Sequence, residues 1–181
     1  MSFITTALLG FFLLGNAATS ALAATVAPAP TYSVAVTGYN AVPAQTDNDP
    51  FTTASGVRSN PEVVVARSVD LADALPYGTV IEVTPKAALS NNCGISLVGE
   101  HIGYRVVADS MHSRKRNQID IMFDTSDKVI VGRKATSVAI ALGVCSDVEI
   151  RVVGQVDIKK MPRNQEELKK VVDEQLLAVG K

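Results

Sequence analysis

Between Thr31 and Gly154 the apolar residues come in short runs, several alternating with polar ones, and Gly, Pro, Asn or Asp lie between the runs. A period of two over four to eight residues is the signature of a strand with one buried face. The pattern predicts six: Tyr32–Thr37, Val63–Ser68, Thr79–Val83, Tyr104–Ala108, Gln118–Phe123 and Asp147–Val153. With no long helix between them, they predict a mostly β fold, a small barrel or sandwich, over residues 31–154. The stretch Val129–Leu142 fits strand or helix. Its second part, Ala135–Leu142, reads as a short helix stopped by Gly143, a residue suited to the left-handed position after a helix.

The two ends have other patterns. Residues 1–23 carry no charge, contain the apolar run Ile4–Leu14 and finish on Ala21-Leu22-Ala23, a small-x-small cleavage pattern. They predict an export signal, because the run is shorter than the ~20 residues a spanning helix needs. The segment lacks the Lys or Arg that usually opens such signals; a buried N-terminal helix is the alternative. Residues 24–30 (ATVAPAP) form a Pro/Ala linker. In the tail, 155–181, the residues Leu168, Val171, Val172, Leu176 and Val179 recur at helical spacing. Asn164 and Glu167 are spaced as a capping box, and Gly180 stands where such a helix stops. The tail therefore predicts one amphipathic helix. Its polar face mixes acids with bases, unlike a basic membrane-surface helix, so it packs on its own domain or docks a partner.

Charge narrows the function. With 17 Lys+Arg against 18 Asp+Glu, the chain has a net charge of -1 and no basic excess to hold a phosphate backbone, so nucleic acid is not an expected partner. The hydrophobic fraction, 47%, is enough for a core and excludes a disordered chain. No motif for a nucleotide, metal or other cofactor is present: Asp47-x-Asp49 lacks the Gly and terminal Glu of a calcium loop, and His101 and His112 have no zinc-type spacing. Cys93 and Cys145 are the only cysteines. In an oxidising compartment they form either a disulfide, worth ~3 to 4 kcal/mol in loop-closure terms, or two buried thiols.

The remaining chemistry lies in the aspartates. Asp109 follows one predicted strand and Asp120 sits inside the next, where Ile119, Ile121 and Phe123 take one face and Asp120 shares the other with Met122. Either Asp120 points into water, or it is partly buried. In the second case desolvation raises its pKa, and a second carboxylate, Asp109 or Asp70, raises it further. A carboxyl protonated near neutral pH is what a general acid requires.

Four pieces in order resemble a known family. They are Val36-Thr37-Gly38-Tyr39-Asn40 with Gln45-Thr46-Asp47 to Thr53-Ala54-Ser55-Gly56; Val65 to Asp70-Leu71 with Leu75-Pro76-Tyr77-Gly78-Thr79; Asp109 through Asp120 to Phe123; and Ala141-Leu142-Gly143-Val144 before Val148-Glu149-Ile150. Together they resemble the 3D domain, named for three aspartates, a six-stranded double-psi β-barrel that supplies the active site of lytic transglycosylases similar to membrane-bound lytic transglycosylase A, and that occurs in stationary-phase survival proteins. The resemblance implies Asp120 as the catalytic acid, supported by Asp109 and Asp70. It implies cleavage of the peptidoglycan bond between N-acetylmuramic acid and N-acetylglucosamine without a cofactor, in the periplasm, elsewhere in the cell envelope, or outside the cell. Thr46, Asp47, Arg114 and Arg116 are then expected to bind substrate, with Lys115 beside the two arginines. The better-known members carry a Gly-rich turn after the second aspartate. Here it is Ser110-Met111-His112-Ser113-Arg114-Lys115-Arg116, which predicts a narrower or re-aimed sugar groove. A glycan-binding or structural envelope module without catalysis is the alternative on the same barrel.

Overall fold

The computed structural model describes residues 28–47, 49–84 and 93–179. The expected export signal and most of the Pro/Ala linker lie outside the described residues, as does Gly180. Eight strands form: β1 (Thr31–Asn40), β2 (Val64–Arg67), β3 (Thr79–Thr84), β4 (Tyr104–Ser110), β5 (Gln118–Phe123), β6 (Lys128–Val131), β7 (Lys134–Ser137) and β8 (Cys145–Gln155). Six of them close into a barrel in the order β1-β5-β2-β4-β3-β8, so the mostly β barrel expected from the pattern is present. The barrel is mixed: β1 runs parallel to β5 and β2 to β4, while the other neighbours are antiparallel.

Period-two side chains explain the closure. Val34 and Val36 of β1, Val65 of β2, Val107 of β4, and Ile119, Ile121 and Phe123 of β5 are buried together in one cluster that fills the barrel. The residues between them, Tyr39, Val64, Ala66, Val106, Ala108 and Met122, form a second buried layer on the opposite face. Gly38 lets the barrel pack tightly on the short helix α2: a Cβ there would lie 2.8 Å from the Phe123 ring and 3.1 Å from Ala139 Cα. At Gly78, the end of the Leu75-Pro76-Tyr77-Gly78 turn, φ is 90°, a conformation that glycine adopts without strain.

The ambiguous stretch divides. Lys128–Val131 and Lys134–Ser137 pair as a two-stranded hairpin, and α2 covers only Val138–Leu142, three residues shorter at its start than expected because Ala135–Ser137 are taken into β7. Gly143 follows with φ 64°. A single-turn helix, α1 (Ile95–Val98), packs beside α2. The two cysteines are joined, with Cα atoms 4.6 Å apart, fastening the start of α1 to the start of β8. The free-thiol reading is therefore set aside.

The tail folds as α3, Gln165–Val179. Asn164 Oδ1 accepts from the Glu167 N–H at 2.9 Å, and Glu167 Oε2 reaches back to the Arg163 N–H at 2.9 Å, a capping pair displaced by one residue at its returning arm. Leu168 and Val172 are fully buried against the outer layer. Two carboxamides hold the helix in place: Gln165 accepts from the Tyr104 N–H and donates to its carbonyl, and Gln175 does the same for Gln155. The helix thus packs on its own barrel. Leu176, from the same expected stripe, is 48% exposed, so the packed part ends before the helix does. Among the described residues no helix is long and apolar enough to cross a membrane.

Arg105 is the largest fully buried side chain. Its guanidinium donates to the carbonyls of Pro61, His101, Ile102 and Met122 and stacks on Phe123. Four acceptors satisfy most of its donors, which is what a buried guanidinium without a direct carboxylate partner requires.

Candidate active site

The backbone register builds the site. Thr37 of β1 lies opposite Asp120 of β5, Asp120 opposite Ala66 of β2, and Ala66 opposite Asp109 of β4. The four residues thus form one row across four neighbouring strands, with the two carboxylates separated by a single alanine. Two strand spacings put their backbones about 10 Å apart. A bulge makes this possible. Val65 pairs with Val107, but Ala66 pairs with Asp109, so the extra residue Ala108 shifts the register and brings Asp109 to the outer face beside Asp120.

Asp120 is half-buried on that face. Burial pushes its pKa from an ordinary carboxylate value up to about 6, and the Asp109 charge pushes the same way. The Thr37 hydroxyl, donating to Oδ1 at 2.8 Å, and the nearby Lys115 cation act in the opposite sense. The raised value expected for a partly buried Asp120 is therefore present, with burial the leading cause. Asp109 accepts three hydrogen bonds: from the Tyr39 hydroxyl at 2.7 Å, the Ala54 N–H at 2.9 Å and its neighbour's Ser110 N–H at 2.8 Å. Burial, reinforced by Asp109, pushes the Tyr39 phenol upward, so it keeps its proton and donates it. The segment bearing Ala54 is thereby tied to Asp109.

Asp70 is placed differently. It is exposed, and its carboxyl is held below the usual range by the Ser68 hydroxyl and the Asn117 N–H, the latter donating at 2.9 Å. Asn117 has φ 45° and immediately precedes β5, so Asp70 fixes the backbone turn that leads into Asp120. The connection continues through hydrogen bonds. Ser68 Oγ accepts from the Gln118 N–H at 3.1 Å, Gln118 Nε2 donates to Thr37 Oγ1 at 2.8 Å, and Thr37 donates to Asp120. Because the Gln118 amide donates, the Thr37 hydroxyl keeps its own proton for the carboxylate. The three aspartates are therefore linked but not clustered: Asp109 acts on Asp120 through charge, and Asp70 acts through Ser68, Gln118 and Thr37.

The expected substrate-binding residues lie at the margins. Arg114 and Arg116 are exposed in the turn before β5. The Arg116 guanidinium bonds to the Ser113 and Lys115 carbonyls of its own turn and lies near Asp70, and Lys115 is the cation that acts on Asp120. The Thr46 hydroxyl donates to the Val42 carbonyl, and Asp47 is exposed in the same loop. Among the described residues no hydrogen bond joins either to Asp109 or Asp120. Four residues of the row and its support, Thr37, Tyr39, Ser68 and Gln118, carried no assigned role in the sequence. For Thr37 and Tyr39 the available signal was period two: they alternate with Gly38 and so share a face.

This arrangement provides one carboxyl that changes protonation near neutral pH, a second carboxylate fixed by three donors, and a flanking cation. Among the described residues no group of three or more His, Cys, Asp or Glu side chains is placed to hold a metal ion. No family model and no curated protein matches the chain.

Proposed function

We propose that the chain is an exported, peptidoglycan-cleaving enzyme of lytic transglycosylase type, with Asp120 as its single acid and base. The observation that carries this reading is the half-buried Asp120, raised to about 6 beside Asp109 on the outer face of the barrel. Such a group holds a proton often enough to donate it and gives it up easily enough to take one back. The closed, mixed six-stranded barrel is compatible with the double-psi barrel of the 3D domain, which supports the same reading.

In this mechanism Asp120 protonates the glycosidic oxygen, and the bond from that oxygen to C1 of N-acetylmuramic acid breaks. The Asp120 carboxylate then takes the proton of the sugar's own C6 hydroxyl as O6 bonds to C1, which closes a 1,6-anhydro ring and restores the acid. Thr37, held by Gln118, orients the carboxylate between the two steps. Asp109 raises its proton affinity, and Asp70 holds the turn from which β5 starts. In this reading Lys115, Arg114 and Arg116, together with Thr46 and Asp47, bind the approaching glycan. Ordinary glycosidases divide the work between two carboxylates; here the sugar hydroxyl replaces both water and a second catalytic group.

The test is mass spectrometry of purified sacculi after incubation with the mature protein. Wild type releases anhydro-muropeptides and Asp120→Asn releases none while still pelleting with the sacculi. Sedimentation of both proteins without any product would replace the enzyme by a glycan-binding module, and product from Asp120→Asn would remove that residue from the chemistry.

A further inference from the structure

A concavity begins three residues beyond Ala54, whose N–H donates to Asp109. It has a volume of about 380 Å³ and runs between Val57–Asn60 and the chain leading into α3, Ile158–Arg163. Val57, Ile158 and Met161 supply apolar wall, and Arg58, Lys159 and Arg163 supply charge. No acidic residue lines it. Of the three cations only Arg163 has an ion-pair partner among the described residues, Glu167 at 3.4 Å. The Asp157 carboxylate accepts the Lys159 backbone N–H at 3.0 Å, and among the described residues the Lys159 ammonium makes no ion pair.

The groove is preformed. Its two walls are joined by Asn60 Nδ2 donating to the Arg163 carbonyl at 2.9 Å. The first wall is closed on itself by the Thr52 and Arg58 bridge and by Ser59 N–H to the Phe51 carbonyl at 2.9 Å. The same turn reaches the active row. Ala54 N–H binds Asp109, and Arg58 stands four residues further on, so the groove and the carboxylate row are at most about 14 Å apart along the chain.

We propose that this groove binds the carboxylates of a short, aliphatic, acidic peptide. Two cations without an ion pair among the described residues, and a third shared with Glu167, select anionic groups. The apolar wall selects carboxylates carried on small aliphatic residues over a strongly hydrated phosphate. Resting on the transglycosylase reading, the occupant is the peptide stem of the glycan strand whose sugars lie over Asp120 and Asp109. The groove then acts as a specificity site: it favours stem-bearing over bare glycan without touching the reacting atoms.

The test uses the mature protein and the double variant Arg58→Gln/Lys159→Gln. Both positions are exposed and make no ion pair among the described residues, so the fold is expected to survive, as circular dichroism checks. N-acetyl-Ala-Glu-Ala is titrated by NMR beside its neutral counterpart, N-acetyl-Ala-Gln-Ala-amide. The acidic peptide is expected to bind wild type with affinity falling as salt rises, and to bind the double variant or lose its charge at a cost of about tenfold. Equal binding by wild type and variant, equal binding of both peptides, or no binding at all overturns the proposal. A second arm compares stem-bearing sacculi with peptide-stripped glycan. The variant is expected to lose about tenfold in kcat/KM on the first and nothing on the second, and equal losses on both overturn the specificity role. If wild type makes no anhydro product from either, the transglycosylase reading fails while the peptide titration still decides the site.

Discussion

Substituting Asp120→Asn should stabilise the folded protein, and only above acidic pH. The carboxyl has an ordinary value near 3.8 when unfolded and about 6 in the fold, mainly because it is half-buried. Below about pH 3.8 both states are protonated and the burial carries no charge cost, so the wild-type contribution is fully present. As pH rises through 6 the folded state must ionise a poorly solvated group, and that stability is lost. A shift of about two units at 1.36 kcal/mol each gives about 3 kcal/mol, an upper bound because remaining contact with water screens the group. Asn keeps the shape and still accepts from Thr37 but does not titrate. Urea unfolding of both proteins across about pH 3.5 to 8 should give a difference near zero at the acid end that grows to at most about 3 kcal/mol in favour of Asn above pH 7. A difference that stays flat with pH would show that Asp120 is as well solvated in the fold as in the unfolded chain, and the argument for its acid role would fail with it.

Three further outcomes are expected. Thr37→Val removes the donor to Asp120 and should raise the Asp120 pKa by about one unit, given about 1.5 kcal/mol for a hydrogen bond to a charged group; carbon-detected NMR titration of the carboxyl reads it. Arg105→Met keeps the bulk but takes the donor from two buried and two partly buried carbonyls, so equilibrium unfolding should show a loss of about 3 to 5 kcal/mol. Opening the Cys93–Cys145 bridge, 52 residues apart, should cost about 4 kcal/mol in loop-closure terms, measured as the difference in unfolding free energy between native protein and Cys93→Ser/Cys145→Ser.

The barrel was legible because its strands are short apolar runs between turn residues, several with a period-two pattern, as Ile119, Ile121 and Phe123 show for β5. The β6–β7 hairpin was not. Ile130 is 67% exposed, so no buried face marks the hairpin in its sequence. Single-turn α1 is too short for a helical period to register. At the site, the spacing located Asp109 and Asp120 on successive strands and put Asp120 opposite the core. It did not contain the Ala108 bulge, which depends on how β2 and β4 align, nor the contact of Thr37 with residues more than 80 positions away. Asp70 was expected as a charge that raises Asp120 and, by resemblance, as the third aspartate; it is exposed and is not among the charges that act on Asp120. Its supporting position, one hydrogen-bonded chain away from Asp120, follows from the Asn117 turn.

The most direct test of the central claim is digestion of sacculi by the mature protein in water enriched in oxygen-18, with mass analysis of the new glycan ends. Ring closure by the sugar's own C6 hydroxyl predicts 1,6-anhydro ends that carry no heavy oxygen. Reducing ends labelled with oxygen-18 would mean that water attacks C1, and would contradict the assignment of Asp120 as the acid and base of a transglycosylase.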